Sequence, residues 1–232
     1  MSESAESWVR RGEVRIAAAG PERVEAVRET LESRARVTVA LGAPDRSAMA
    51  TTRLAFLNHM VDHVAYRSLL NIWAGIEEIP LDGAPPGTPS RLLDHVICED
   101  LGATLGGALG RLFVERSEAG GVNGCGVGVA TIDEAVTRVV LSVEGRPGFH
   151  FTNQTGAMPE RVEDMSCCDL LNFLEGLSRG MECTLHVDIL KGRDPHHMWE
   201  SAFRAVGEAL RQVFGPCERR RGLVPGLKGT KR

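Results

Sequence analysis

Between Arg36 and Gly42 the chain reads "RVTVALG", with Val37, Val39 and Leu41 on one side of a two-residue alternation. That period predicts a half-buried strand. The period then changes. In "LAFLNHMVDHVAYRSLLNI", Leu57, Met60, Val61, Val64, Leu69 and Leu70 recur at helical spacing. Proline and glycine crowd Pro80–Ser90 and predict a loop. A second helix is expected over Asp94–Phe113 despite Gly102, Gly106, Gly107 and Gly110. A glycine costs up to about 1 kcal/mol in an exposed helix, so close packing of that face is the expected compensation.

The same order returns further on. "EAVTRVVLSVEGRPGFHF" predicts one or two strands around a Gly145-Arg146-Pro147 turn, "CCDLLNFLEGLSRGM" a helix, and "CTLHVDIL" an alternating strand. A final helix is expected over Pro195–Phe214, and it is a copy of the earlier one. "DHVICEDLGATLGGALGRLF" aligns without gaps on "PHHMWESAFRAVGEALRQVF", matching His95/His196, Glu99/Glu200, Gly106/Gly207, Ala108/Ala209, Leu109/Leu210 and Phe113/Phe214. A period near one hundred residues reads as a domain duplication rather than a solenoid. The expected fold is α+β, a tandem duplication of a β-α half built as two packed sheet/helix layers. Residues 1–25 read as an N-terminal extension, 26–122 as the first repeat, and 123–232 as the second repeat with a basic tail, all in one compact unit.

The duplicated residues carry chemistry. Residues i and i+4 share a helix face, so His95 with Glu99, and His196 with Glu200, can each grip one ion. His197, about 100° round the helix from His196, aims at a second site; its counterpart in the first copy is Val96. One site therefore takes His95, Glu99 and His197. The mirror site takes His196 and Glu200 and borrows position 96. Each needs a further histidine, and His59 and His186 are available; the spacing leaves open which goes where. Of the seven histidines, His63 and His150 do not stand out. Imidazole with carboxylate suits Mn, Fe or Zn, and the lack of a cysteine at matched spacing argues against a structural zinc.

Composition narrows the class. In 232 residues, 43% are hydrophobic and 25% charged, as in an ordinary globular protein. A net charge of -4 gives no reason to expect nucleic acid or an anionic membrane as partner. No apolar run approaches the ~18 residues of a membrane span, and the N-terminus has no signal-peptide core. The six cysteines form no CxxC pair and read as reduced, mostly buried thiols of a cytoplasmic protein.

From Arg28 to Gly229 the chain resembles a known family, the imidazoleglycerol-phosphate dehydratases of histidine biosynthesis, as a divergent member. The resemblance rests on "FLNHMVD", "DHVICEDLG", "DEAV" with "LSVEGRP", "LHV", "HHMWESAFRA" with "EALR", and "PGLKG". It implies a metal-dependent carbon-oxygen lyase (a hydro-lyase) in a homo-oligomer of twenty-four subunits, acting on a small phosphorylated substrate. Two Mn(II) ions would be held by eight ligands where subunits meet. Seven of the eight stand: His59, His95, Glu99, His186, His196, His197 and Glu200; the eighth is Val96. One ion is thus expected to bind firmly and the second to lack an imidazole. The resemblance makes Glu32 and Asp133 the catalytic acidic residues and gives the substrate phosphate to Arg146, Arg204 and Lys228. It departs at Gly124, where the family has an arginine, and at Arg67, where a histidine is expected. Such departures leave room for a related heteroaromatic or polyol phosphate. The alternative is a non-catalytic assembly protein that retains the fold.

Overall fold

A computed structural model describes residues 12–80, 90–156, 158–223 and 226. Its first half runs β1 (Val14–Ala19), β2 (Arg23–Glu29), β3 (Ser33–Ala40), β4 (Ala50–Thr51), α1 (Ala55–Ser68), β5 (Asn71–Glu78) and α2 (Asp94–Ala119). The second runs β6 (Cys125–Ile132), β7 (Ala135–Ser142), β8 (Gly148–Asn153), the two-residue strands β9 (Arg161–Val162) and β10 (Met165–Ser166), α3 (Cys167–Met181), β11 (Thr184–Lys191) and α4 (Pro195–Val213). A 3-10 turn at Glu218–Arg220 follows.

The duplication is written into the strand order. The first sheet is β1-β2-β3-β5-β4 and the second β6-β7-β11-β8. Without β1 the two orders coincide element for element. So do the directions: β3 with β5 and β7 with β11 are antiparallel, while β4 with β5 and β8 with β11 are parallel. The helices lie between the sheets, α2 against the first and α4 against the second. Helices pair across the halves, α1 on α4 and α2 on α3. Neither repeat could bury its apolar helix face alone.

Glycine sets the closest of these contacts. A Cβ on Gly102 or Gly106 of α2 would run into the carbonyls of Phe173 or Leu177 on α3. Gly180 of α3 meets the Ala103 carbonyl in return, and a Cβ on Gly176 would stand 2.9 Å from the Glu99 oxygen. The two backbones therefore touch along a seam with no intervening side chains. This is the compensation expected for glycines in a helix.

Three expectations change, and one unforeseen strand is added. Residues 14–25, read as part of an extension, supply β1 and the start of β2 in the first sheet. Leu69 does not continue the helix: its φ of 61° ends α1 in the left-handed region and leaves it exposed, and Leu70 and Asn71 lead into β5. Cys125–Ile132 is a strand with reversed polarity. Gly126, Gly128 and Ala130 face α4, whose Ala205 and Ala209 carbonyls leave no room for a Cβ at the glycines, while Val127 and Val129 point outward. Of the cysteines, Cys98, Cys167 and Cys183 are buried, but Cys125 and Cys168 are exposed. The Pro80–Ser90 loop falls almost wholly outside the described residues.

Candidate metal centre

The first turn of α4 carries the centre. Asp194 caps it by accepting from the His196 amide at 2.8 Å, and Pro195, with no N–H to satisfy, opens the helix. His196 and Glu200 then stand one turn apart, with His196 Nε2 3.2 Å from Glu200 Oε2. Helix α1 adds two rings. Its N-terminus is held from the other half by Asp164, which accepts from the amides of Ala55 at 2.6 Å and Phe56 at 3.1 Å. This anchor sets His59 and His63, a turn apart, against Glu200. His59 Nε2 is 3.4 Å from Oε2, His63 Nε2 is 3.0 Å from Oε1, and the two Nε2 atoms are 3.3 Å from each other.

Three imidazoles thus converge on a carboxylate that is only 3% exposed. The two Nε2 atoms can share one hydrogen or, with both lone pairs turned inward, face a cation together, and with Glu200 they form a group close enough to hold one. The spacing is also right for one. An octahedral divalent ion holds ligands at about 2.1 Å, which puts neighbouring donors about 3 Å apart. Burial lowers the His63 pKa to about 4 despite the attraction of Glu200, and the nearby His59 charge lowers it further. Burial pushes the Glu200 carboxyl up, but His63, Arg204 and His59 outweigh it and leave its pKa below the ordinary value. At neutral pH Glu200 is a carboxylate facing a neutral His63 ring, the protonation a metal needs of both.

Neighbouring carboxylates orient the rings. Glu163, in the turn between β9 and β10, lies 2.9 Å from His196 Nδ1. Glu134 lies 2.8 Å from His197 Nδ1 and is itself gripped by the amides of Arg193 at 3.0 Å and Asp194 at 2.8 Å. In both rings a carboxylate on Nδ1 leaves Nε2 to face another group, Glu200 for His196 and Asp133 for His197, the usual support of a ligating histidine. The Glu134 carboxyl is depressed to about 2, first by the Asp194 amide, then by His197 and the Arg193 amide. The hydrogen bond to Glu134 raises the His197 pKa in turn.

Within one chain the expected ligands fall in four places. His59, His196 and Glu200 meet as described. His197 faces Asp133 at 3.7 Å, on the turn between β6 and β7. His186 lies on the outer face of the second sheet, stacked on His150 with centroids 4.4 Å apart, while its neighbours Leu185 and Val187 point into the core. His95 is exposed at the start of α2, and Glu99 and Val96 line a hollow with Arg28, Thr30 and Glu32. Glu32 sits there on the hairpin between β2 and β3, its amide held by Thr30 Oγ1 at 3.1 Å. A buried ion pair, Arg28 with Asp100, floors the hollow, and Ser33 donates to the same carboxylate.

The basic residues divide. Arg146 is exposed on the turn before β8. Arg204 pairs with Glu200 one turn back and donates to the Thr131 carbonyl at 3.0 Å. Lys228 lies outside the described residues. Gly124 has a φ of 79°, where an arginine would be strained. Arg67 pairs with Glu208 at 3.4 Å.

The sequence profile of imidazoleglycerol-phosphate dehydratases matches residues 52–210. The chain is 33% identical over 207 residues to the imidazoleglycerol-phosphate dehydratase of Aromatoleum aromaticum, covering 89% of this chain and 97% of that one. The chain belongs to the imidazoleglycerol-phosphate dehydratase family. The enzyme of that name from Thioalkalivibrio sulfidiphilus is 33% identical over 206 residues, 89% of this chain and 96% of that protein. Among solved structures, the imidazoleglycerol-phosphate dehydratase of Pyrococcus furiosus superposes with a TM-score of 0.66 at 25% identity, over 88% of this chain and 98% of that one. The one from Staphylococcus aureus gives 0.64 at 21%, over 84% and 99%, and speaks for the fold alone. The duplicated sheet-helix fold expected from the resemblance is therefore that of the dehydratases.

No signal, by spacing alone, marks Glu134 or Glu163, since each reaches its histidine from a distant turn. His63 was findable. It lies four residues after His59 on the same helix face.

Proposed function

We infer that this protein is a metal-dependent dehydratase that removes water from imidazoleglycerol phosphate or a close heteroaromatic relative. The observation that carries the reading is the convergence of three imidazole nitrogens on the Glu200 carboxylate, beside a family match that spans most of the chain. Mn(II) is the proposed ion, held on one side by His59, His196 and Glu200 and on the other by His95, Glu99 and His197, with His186 serving from the outer sheet face. When bound, such ions draw charge from the substrate ring and make its neighbouring carbon more acidic.

The chain's own carboxylates do the rest. Glu32 accepts the proton from the carbon beside the ring. Asp133, or Glu32 once protonated, returns a proton to the departing hydroxyl, which leaves as water. Arg146 and Lys228 neutralise the phosphate, while Arg204 holds the Glu200 carboxylate in place.

Because His186, His197 and the Glu32 hollow do not meet the Glu200 cluster in one chain, complete sites are proposed to form where copies meet, in a cage of twenty-four. Outward-facing Val127, Val129 and Val140 beside His186 give that contact an apolar surface. No described helix is long and apolar enough to cross a membrane. Turnover of imidazoleglycerol phosphate by the Mn(II)-loaded protein tests the reading. Activity lost in Glu32→Gln with metal content intact is expected; equal turnover in Glu32→Gln refutes the assignment of the base.

A further inference from the structure

Resting on the reading above, we propose that His63 supplies the imidazole that position 96 lacks, so that α1 and α4 of a single chain complete the ion site around Glu200. Val96 alone leads to one firm ion and one crippled site. The structure gives a different inventory. His63 lies one turn after His59 on α1, and its Nε2 reaches Glu200 Oε1 at 3.0 Å while standing 3.3 Å from His59 Nε2. Ligand atoms of His59, His63 and Glu200 lie within 4.8 Å of one another, and His196 Nε2 stands 3.2 Å from the same carboxylate, so the available donors are the kind that a histidine at position 96 would complete.

Two observations favour a ligand over a mere hydrogen-bond partner. Arg204 already neutralises Glu200, so His63 is not needed to offset that charge. The His59 and His63 rings also meet edge-on, with centroids 4.5 Å apart at 69°, and their ligand atoms lie within 4.8 Å of each other and of Glu200, close enough for the three to share one ion. Val96, meanwhile, packs against the core from the other helix pair. The two positions are not interchangeable in place, only in what they offer an ion. A site completed this way draws its imidazoles from one chain, whereas the His95 site still awaits His197 from elsewhere.

The test is Mn(II) titration of the full-length protein, followed by the electron paramagnetic resonance signal of free ion. Two ions per chain are expected. His63→Ala should weaken one of them by at least about tenfold, the smaller loss that even an outer supporting group produces, and Val96→His in that background should restore it. One ion per chain in the unmodified protein overturns the proposal. So does His63→Ala binding as the parent does while His196→Ala loses an ion, an outcome that leaves the dehydratase reading standing. If neither His196→Ala nor His95→Ala changes binding, the metal reading itself falls and takes the proposal with it. A measurement without mutation guards against misfolding. Mn(II) should slow carbethoxylation of His63 with the same midpoint as His196, and an unprotected His63 refutes the assignment.

Discussion

His196 and His197, adjacent in the chain, turn their rings 82° apart with centroids separated by 6.1 Å. One faces Glu200 and is held by Glu163; the other is held by Glu134 and faces Asp133. Adjacent helical side chains diverge by about 100°, so the pair serves two places rather than chelating one ion. His196→Ala and His197→Ala should therefore each lower the tightly held Mn(II) from two ions per chain to one, and the double variant should hold none. Elemental analysis after gel filtration decides. Loss of the same ion in both single variants would sink this division.

The Glu134–His197 contact sets a pH window in the metal-free protein. Glu134 is depressed, so its contribution is full above the ordinary value of 4.5 and is lost as pH falls toward about 2. His197 is raised, so its contribution is full below the ordinary 6.5 and is lost as pH climbs through the raised value. Both are present together between those two ordinary values. The difference in melting temperature between the parent and Glu134→Gln should be widest there and shrink on either side. A difference independent of pH would show that the pair does not titrate as described.

The α2–α3 seam makes a stability prediction. In Gly106→Ala the new methyl meets the Leu177 carbonyl and the Met181 amide. The gain in helix propensity, about 1 kcal/mol, is outweighed by the forced separation of two backbones, for a net loss of about 2 kcal/mol. Gly120→Ala, where a methyl meets nothing within 4 Å, is the control and should move stability by less than about 0.5 kcal/mol. Urea titration compares them.

Arg146 and Arg204 should fail differently. Arg146→Ala removes a charge-assisted contact to phosphate and should raise KM about tenfold or more with metal content unchanged. Arg204→Ala releases Glu200 and should show first as lost Mn(II). Matching phenotypes would put both back on the phosphate.

Assembly is tested by light scattering. A mass near that of twenty-four chains is expected, and Val129→Asp, which sets a charge on the apolar outer face of β6, should shift it to smaller species. A parent of 25.1 kDa in solution would refute the cage.

Much of this was legible in the residues. The two HxxxE pairs, their repetition and the divergence of His196 from His197 all follow from helix periodicity. The Gly-rich face of α2 was read as a packing face and is one. What escaped notice has physical causes. β6 alternates with glycine inward and valine outward, so hydrophobicity misreports its buried side. Arg204, expected on the phosphate from the resemblance, also pairs with Glu200 one turn away, a contact the resemblance does not announce. Glu134 and Glu163 act through folds of the chain that spacing does not encode. His63 needed only the i, i+4 rule applied to α1.

The bare seam between α2 and α3 also limits how this protein can tolerate change. Where side chains separate two helices, a lost group can be accommodated by a small slide of one helix, taken up by new rotamers. Here Gly176 rests on the Glu99 backbone and Gly102 on that of Phe173, so the register is fixed like teeth on a rack. The start of α2 cannot drift to make good a missing ring at position 96. Any repair has to arrive as a new donor on an element outside the seam, and α1, packed instead on α4, is free to provide one.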